Sequence, residues 1–307
     1  MANISTLVDE FGFHNYSSSS ADAVETYIFD NDDFGVKVAN LLKERSKEIV
    51  VRVLIDGIGA IIGTRVDADE ISEGFEPPLD MRSHLRMDSD VRVRTSGNPF
   101  LTGDHSKTTI VDGERAFLGG MNIGREYRFE WHDLMMEVTG PVVDILRRDS
   151  DLAWARASWL GDLALFARFL SPRPDQAGSE GVPLTVLETK DHDSQIYRAQ
   201  LAAIRRAQSY IYIENPYFSD DAILYELAKA RRRGVDVRVI LPDEGNHATH
   251  NYSNQISINT MLRHGIRVYL YPGMSHVKAA VYDGWACFGS ANFDKLSLQI
   301  NEEINIG

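Results

Sequence analysis

Two stretches of this chain set out the same side chains at nearly the same offsets: HSKTTIVDGERAFLGGMN at 105–122 and HVKAAVYDGWACFGSAN at 276–292. His105 and Lys107 are two residues apart, as are His276 and Lys278, so on a strand each pair leaves one face and brings an imidazole beside an ammonium. Asp112-Gly113 and Asp283-Gly284 read as hairpin turns, and Gly119-Gly120 and Gly289-Ser290 allow close backbone approach. Asn122 and Asn292 follow at the same offset and can donate an amide N–H. Eleven residues beyond each asparagine stands a carboxylate, Asp133 in one copy and Glu303 in the other. A carboxylate on one ring nitrogen fixes the tautomer of a histidine and stabilises its cation, leaving the other nitrogen for chemistry. The sequence order pairs Asp133 with His105 and Glu303 with His276. Asp112 and Asp283, at hairpin tips, read as structural or charge-balancing. Average residue frequencies put two such matches in equivalent places below about one in ten thousand by chance.

The elements that carry these sets are duplicated as well. TYIFDNDDFGVKVANLLKERSKEIVVRVLIDG (26–57) and IYIENPYFSDDAILYELAKARRRGVDVRVILPDE (211–244) each predict a short strand, a polar turn, a helix with basic residues in its last turn, and a buried strand. In the second copy Ser219 is the expected cap, Ile223, Leu224, Leu227 and Ala228 form the apolar face, and Gly234 stops the helix. A further strand, VRVRT at 91–95 and IRVYLY at 266–271, precedes each histidine motif. The spacing therefore predicts two tandem α/β halves, each a mixed sheet flanked by helices. The expected boundaries are a leader at 1–23, a first half at 24–170, a Pro- and Gly-rich linker at 171–183 and a second half at 184–307. Residues 152–170 read as a strongly apolar core helix. DEGNHATH sets His247 and His250 beside Asp243 and Glu244 in a loop after a buried strand. Such loops form the mouth of α/β sites, so substrate contact or a solvated loop is expected there rather than metal ligation.

Composition narrows the classes. At 307 residues, 43% hydrophobic and 25% charged, the chain is globular and long enough for two cores. A formal net charge of -13 repels polyanions and argues against nucleic acid as a partner. One cysteine, Cys287, excludes an internal disulfide framework and reads as a small buried residue. The first thirty residues lack a secretory pattern, and no run reaches the roughly 18 apolar residues of a spanning helix.

The doubled motif, together with GGMNIGREY, WHDLMMEVTGPVV, NPYF, RGVDVRVILP and the closing NEEIN, resembles the paired HKD motifs of the phospholipase D superfamily, and most of all bacterial cardiolipin synthases. The likeness runs from about Tyr27 to the last residue. It implies two halves packed about a pseudo-twofold axis around one active site, with the two His-Lys-Asn sets on a single phosphate. By the superfamily's more common usage His105 is the nucleophile, forming a phosphohistidine, and His276 the acid and base. Lys107, Lys278, Asn122 and Asn292 then hold the nonbridging oxygens, with no metal or cofactor. The implied reaction moves a phosphatidyl group to an alcohol such as phosphatidylglycerol; hydrolysis to phosphatidic acid, nuclease-type phosphodiester cleavage and a noncatalytic scaffold are the rival readings. The implied partner is a phospholipid at a membrane surface, in the cytoplasm or at the inner face of its membrane, and the sequence leaves the oligomeric state open. Relatives usually continue beyond Glu303 and Asn305 and many carry membrane segments at the start, so parts that dock lipid are expected outside this chain.

Overall fold

The computed structural model describes residues 22–66, 71–97, 103–158, 181–190 and 193–307, which divide into two compact units. In the first, the order is β1 (Asp22–Thr26), α1 (Asp33–Arg45), β2 (Val51–Asp56), α2 (Gly57–Ile62), α3 (Met81–Arg86), β3 (Arg92–Ser96), β4 (Thr108–Val111), β5 (Arg115–Gly119), β6 (Met135–Thr139) and α4 (Pro141–Arg156). The strands form one mixed sheet in the order β3-β2-β1-β4-β5-β6, with β1, β2 and β3 parallel and β4 antiparallel to both β1 and β5. Val51, Val53, Leu54 and Ile55 of β2 are all buried, as a central strand covered by helices requires. The Asp32 carboxylate accepts from Gly35 N at 2.5 Å and starts α1, while Lys43 and Arg45 sit at its negative end.

The second unit repeats the plan and adds to it. After β7 (Val186–Lys190), β8 (Asp193–Ser194) and α5 (Gln195–Arg206) come β9 (Tyr210–Glu214), α6 (Asp221–Arg232), β10 (Asp236–Pro242), α7 (Ala248–Arg263), β11 (Arg267–Tyr271), β12 (Ala279–Tyr282), β13 (Trp285–Gly289), α8 (Lys295–Gln299) and β14 (Glu303–Ile306). The sheet order is β11-β10-β9-β12-β13-β14-β7-β8. Its first six strands reproduce the first sheet's order strand for strand, which is the duplication read from the sequence. Ile196, Ile204, Phe218, Leu227, Val237, Val239 and Met261 build the core under α5, α6 and α7.

Several local expectations are corrected. Asp220, one residue beyond the expected Ser219, caps α6 by accepting from Ile223 N at 2.9 Å; its carboxylate reaches the N3 amide from there. Asp22 and Ala23, expected in a leader, are buried in β1. The His-Lys pairs precede β4 and β12 instead of lying on them, because the strands begin at Thr108 and Ala279. The helix expected over 152–170 is described only as the end of α4 at Arg156; residues 159–180, with most of the expected linker, lie outside the described residues. One feature has no counterpart in the sequence reading: Gly119–Met121 and Glu126–Met135, although flanked by the first unit's strands, belong to the second unit.

Candidate active site

In the first unit the histidine loop is anchored by an aspartate that sequence reasoning passed over. Asp56, at the end of β2, accepts from Ile58 N and Gly59 N at 2.8 and 2.9 Å to start α2, and its other oxygen accepts from Asp104 N at 2.9 Å. One carboxylate thus ties a sheet strand, a helix and the residue before His105. The Tyr27 ring meets the His105 imidazole edge-on at 4.7 Å, and Lys107 Nζ lies 5.2 Å from the centroid of the same ring. Lys107 is buried to 1% exposure and its Nζ donates to the His105 carbonyl at 2.5 Å. Asn122 is also buried; its Oδ1 accepts from Ile28 N at 3.2 Å, which turns the amide N–H groups to other work.

In the second unit Lys278, 2% exposed, repeats the bond with Nζ donating to the His276 carbonyl at 2.6 Å. The carboxylate on the imidazole departs from the expected pairing. Asp133 Oδ2 stands 2.7 Å from His276 Nδ1, with the aspartate side chain fully enclosed. The segment that carries it is stitched to the His276 loop by backbone: His132 N donates to Met274 O at 3.0 Å and His276 N to His132 O at 2.7 Å, a parallel bridge between His132 and Ser275. That stitching is the physical reason a residue 143 positions earlier, and not one following the motif, orients the ring. Glu303, expected on His276, is buried and accepts from Ser290 Oγ at 2.5 Å. Asn292 is buried, with its Nδ2 3.4 Å from Ser297 Oγ.

An aromatic wall encloses His276: Trp131 at 5.2 Å, Tyr127 at 5.7 Å and Tyr217 at 6.5 Å between ring centroids. Tyr127 lies within a π-helical turn, Glu126–Glu130, and Trp131 directly follows it; no residue pattern announces that wider winding. Glu214 links Ser275 Oγ at 2.6 Å with His132 Nε2 at 3.5 Å and steadies the same loop. The turn aspartates have structural geometry. Asp112 and Asp283 take left-handed φ values of 57° and 51°, a conformation aspartate tolerates. Asp283 accepts from the backbone N–H groups of Tyr210, Gln208 and Ser209, and those bonds, Tyr210 foremost, hold its carboxyl below the usual range. Burial pushes the Cys287 thiol up to about 12, so it is an inert core group.

Two His-Lys-Asn sets, buried except for the part-exposed His105, therefore accompany these loops on duplicated sheets, and comparison with known proteins gives them relatives. Residues 201–307 match the family model described as cardiolipin synthase, PLD-like domain. A cardiolipin synthase of Clostridium perfringens (strain SM101) is 29% identical over 306 residues, covering 92% of this chain and 60% of its own length. Cardiolipin synthase A of Pseudomonas aeruginosa (strain LESB58) is 30% identical over 299 residues, covering 92% and 57%. The second half of the chain thus carries a PLD-like domain. The chain spans about 60% of the length of the curated relatives it matches. The same fold is seen in the phosphatidylserine synthase of Haemophilus influenzae Rd KW20, which superposes over 98% of this chain and 78% of its own with a TM-score of 0.71 at 14% identity. Among the described residues no helix is long and apolar enough to cross a membrane.

Proposed function

We propose that this phospholipase D-type chain is a phosphatidyltransferase of the cardiolipin synthase kind, and that one catalytic cycle uses both His-Lys-Asn sets. The observation that carries the reading is the 2.7 Å contact between Asp133 and His276 Nδ1, which leaves proton transfer to Nε2 of a ring held within an aromatic wall. His105 Nε2 attacks phosphorus and the P–O bond to the leaving alcohol breaks, with His276 giving that oxygen its proton. In the second step an acceptor hydroxyl gives its proton to His276 and forms the new P–O bond, and the P–N bond breaks to restore His105. Lys107, Lys278, Asn122 and Asn292 stabilise the charge that develops on the nonbridging oxygens. A buried ammonium is costly in an apolar interior and is favoured beside a bound anion, which suits the near-complete burial of both lysines.

The experiment is a lipid mass-spectrometric assay of the chain with phosphatidylglycerol vesicles in chelator. Cardiolipin plus glycerol is the expected outcome, lost by about 10²- to 10⁴-fold in His105→Ala and in His276→Ala separately. Phosphatidic acid alone would reassign the chain as a hydrolase, since only the second nucleophile differs. Full activity in either variant would overturn the two-histidine cycle, and loss in chelator restored by one divalent ion would overturn the metal-free chemistry.

A further inference from the structure

We propose that Tyr217, Asn246 and His250 form the subsite that receives the hydroxyl-bearing headgroup of the acceptor, and so decide whether the phosphohistidine passes to an alcohol or to water. This deepens the phosphatidyltransferase reading and rests on it. Tyr217 follows β9, and its ring lies between two imidazoles: edge-on to His276 at 6.5 Å, and stacked on His250 at 4.2 Å with the planes 23° apart. His250 is in the first turn of α7. The same ladder thus runs from the group that takes the acceptor's proton to the loop the sequence marked as the mouth of the site.

The ladder is held as one piece. Asn254 of α7 accepts from Phe218 N at 2.9 Å and donates to Pro216 O at 2.7 Å, and Ser257 Oγ donates to Phe218 O at 2.6 Å, so the helix grips the backbone on both sides of Tyr217. Asn251 closes the loop ahead of α7 by accepting from Gly245 N at 3.0 Å and donating to Gly245 O at 2.9 Å. A subsite needs such support to discriminate between small ligands.

The chemistry suits a polyol. Burial, the leading cause, pushes the Tyr217 hydroxyl well above its usual range, so it stays a neutral donor, and it donates a hydrogen bond to Asn246 Oδ1 at 2.5 Å. With that oxygen engaged, the Asn246 amide presents N–H donors. Burial, and then the charge of His250, lowers His247, whose ring is 5.7 Å from His250, and so favours its neutral donor-acceptor form. Asp243 and Glu244 are exposed in the same loop and disfavour a second phosphate, which points to the hydroxyl-bearing part of the acceptor. The histidine pair offers ring nitrogens that donate and accept hydrogen bonds. A site built to bond a hydroxyl rejects analogues that lack it.

In the step concerned, the acceptor oxygen bonds phosphorus, the phosphohistidine P–N bond breaks with its electron pair returning to the imidazole, and the acceptor proton goes to His276. Water can take the acceptor's place, so the ratio of alcohol-transfer product to phosphatidic acid reads the subsite directly and does not depend on how much of a variant folds. The chain is given phosphatidylglycerol vesicles with deuterated glycerol or, separately, ethanol. We expect the ratio of labelled phosphatidylglycerol to phosphatidic acid to fall about fivefold or more in His250→Ala and in Tyr217→Phe, as loss of one hydrogen bond implies. The phosphatidylethanol ratio should change far less. Ratios unchanged in both variants, or an equal fall with glycerol and ethanol, would overturn the subsite. No phospholipid turnover by the unaltered chain would overturn the parent reading and this one with it, a result distinct from an unchanged ratio.

Discussion

His276 owes its orientation to a carboxylate that precedes it by 143 positions. The residues proposed to do chemistry were legible because they occur twice at fixed offsets, and so were both carboxylates. Their partners were not. Sequence order pairs Asp133 with His105, but the hydrogen bond is decided by the backbone bridge from His132 to Ser275, which leaves no trace in spacing. Tyr127, Trp131 and Tyr217 were equally silent, since a tyrosine against a catalytic ring and one in a core have the same local pattern. The bond makes a prediction. In Asp133→Asn an amide N–H₂ can donate to Nδ1 and move the ring proton to Nε2, the wrong tautomer for taking a proton there. The expected kcat falls by about 10²-fold or more, with KM little changed. Steady-state kinetics on vesicles would show it, and wild-type turnover in this variant would remove Asp133 from the mechanism.

Strands and helices with strong apolar patterns were read to within a residue or two: β2, β3, β10 and β11 fall where their β-branched runs lie. Motif residues at element ends were read less well, because turns and caps are settled by contacts one residue either way. Asp56 is an example; at the end of a β-branched run it carries no signal of its own, while its carboxylate joins α2 to the histidine loop. The small residues of the motif have a sharper meaning in the structure. A Cβ on Gly120 would lie 2.6 Å from Asp133 Oδ1, 3.0 Å from the His276 carbonyl and 3.2 Å from Lys278 Nζ. The equivalent Ser290 instead donates to Glu303, so the serine of one copy cannot be transplanted to the other. Gly120→Ser is expected to displace the carboxylate and cost about tenfold or more in kcat while leaving the circular dichroism spectrum intact. An active Gly120→Ser enzyme would mean the Asp133 contact is not needed.

At the scale of the molecule, the duplication was plain from the sequence and the assignment of segments to units was not. Chain order suggested a single cut between halves, whereas Gly119–Met121 and Glu126–Met135 group with the second unit through contacts that no composition shift announces. Stability carries its own signature. Asp22 is fully buried in β1, with Asp112 N on one oxygen, and burial is the main cause that pushes it from 3.8 to about 6. Between these values the folded chain keeps a proton that the unfolded chain has released, so stability declines as pH rises through that window and the loss is complete above about 6. Asp22→Asn should therefore be more stable than the unaltered chain at pH 7, by up to about 3 kcal/mol, and melt higher, and the gap should close near pH 4. Equal melting temperatures at both pH values would show that the carboxylate bears no such cost. The borrowed segment matters also to the order in which the chain is made. A ribosome releases Asp133 long before His276 exists, so the enclosed carboxylate waits through more than a hundred further residues for its imidazole. The His276 ring is thus seated by a closure across 143 positions, a contact that a newly emerged first half cannot rehearse.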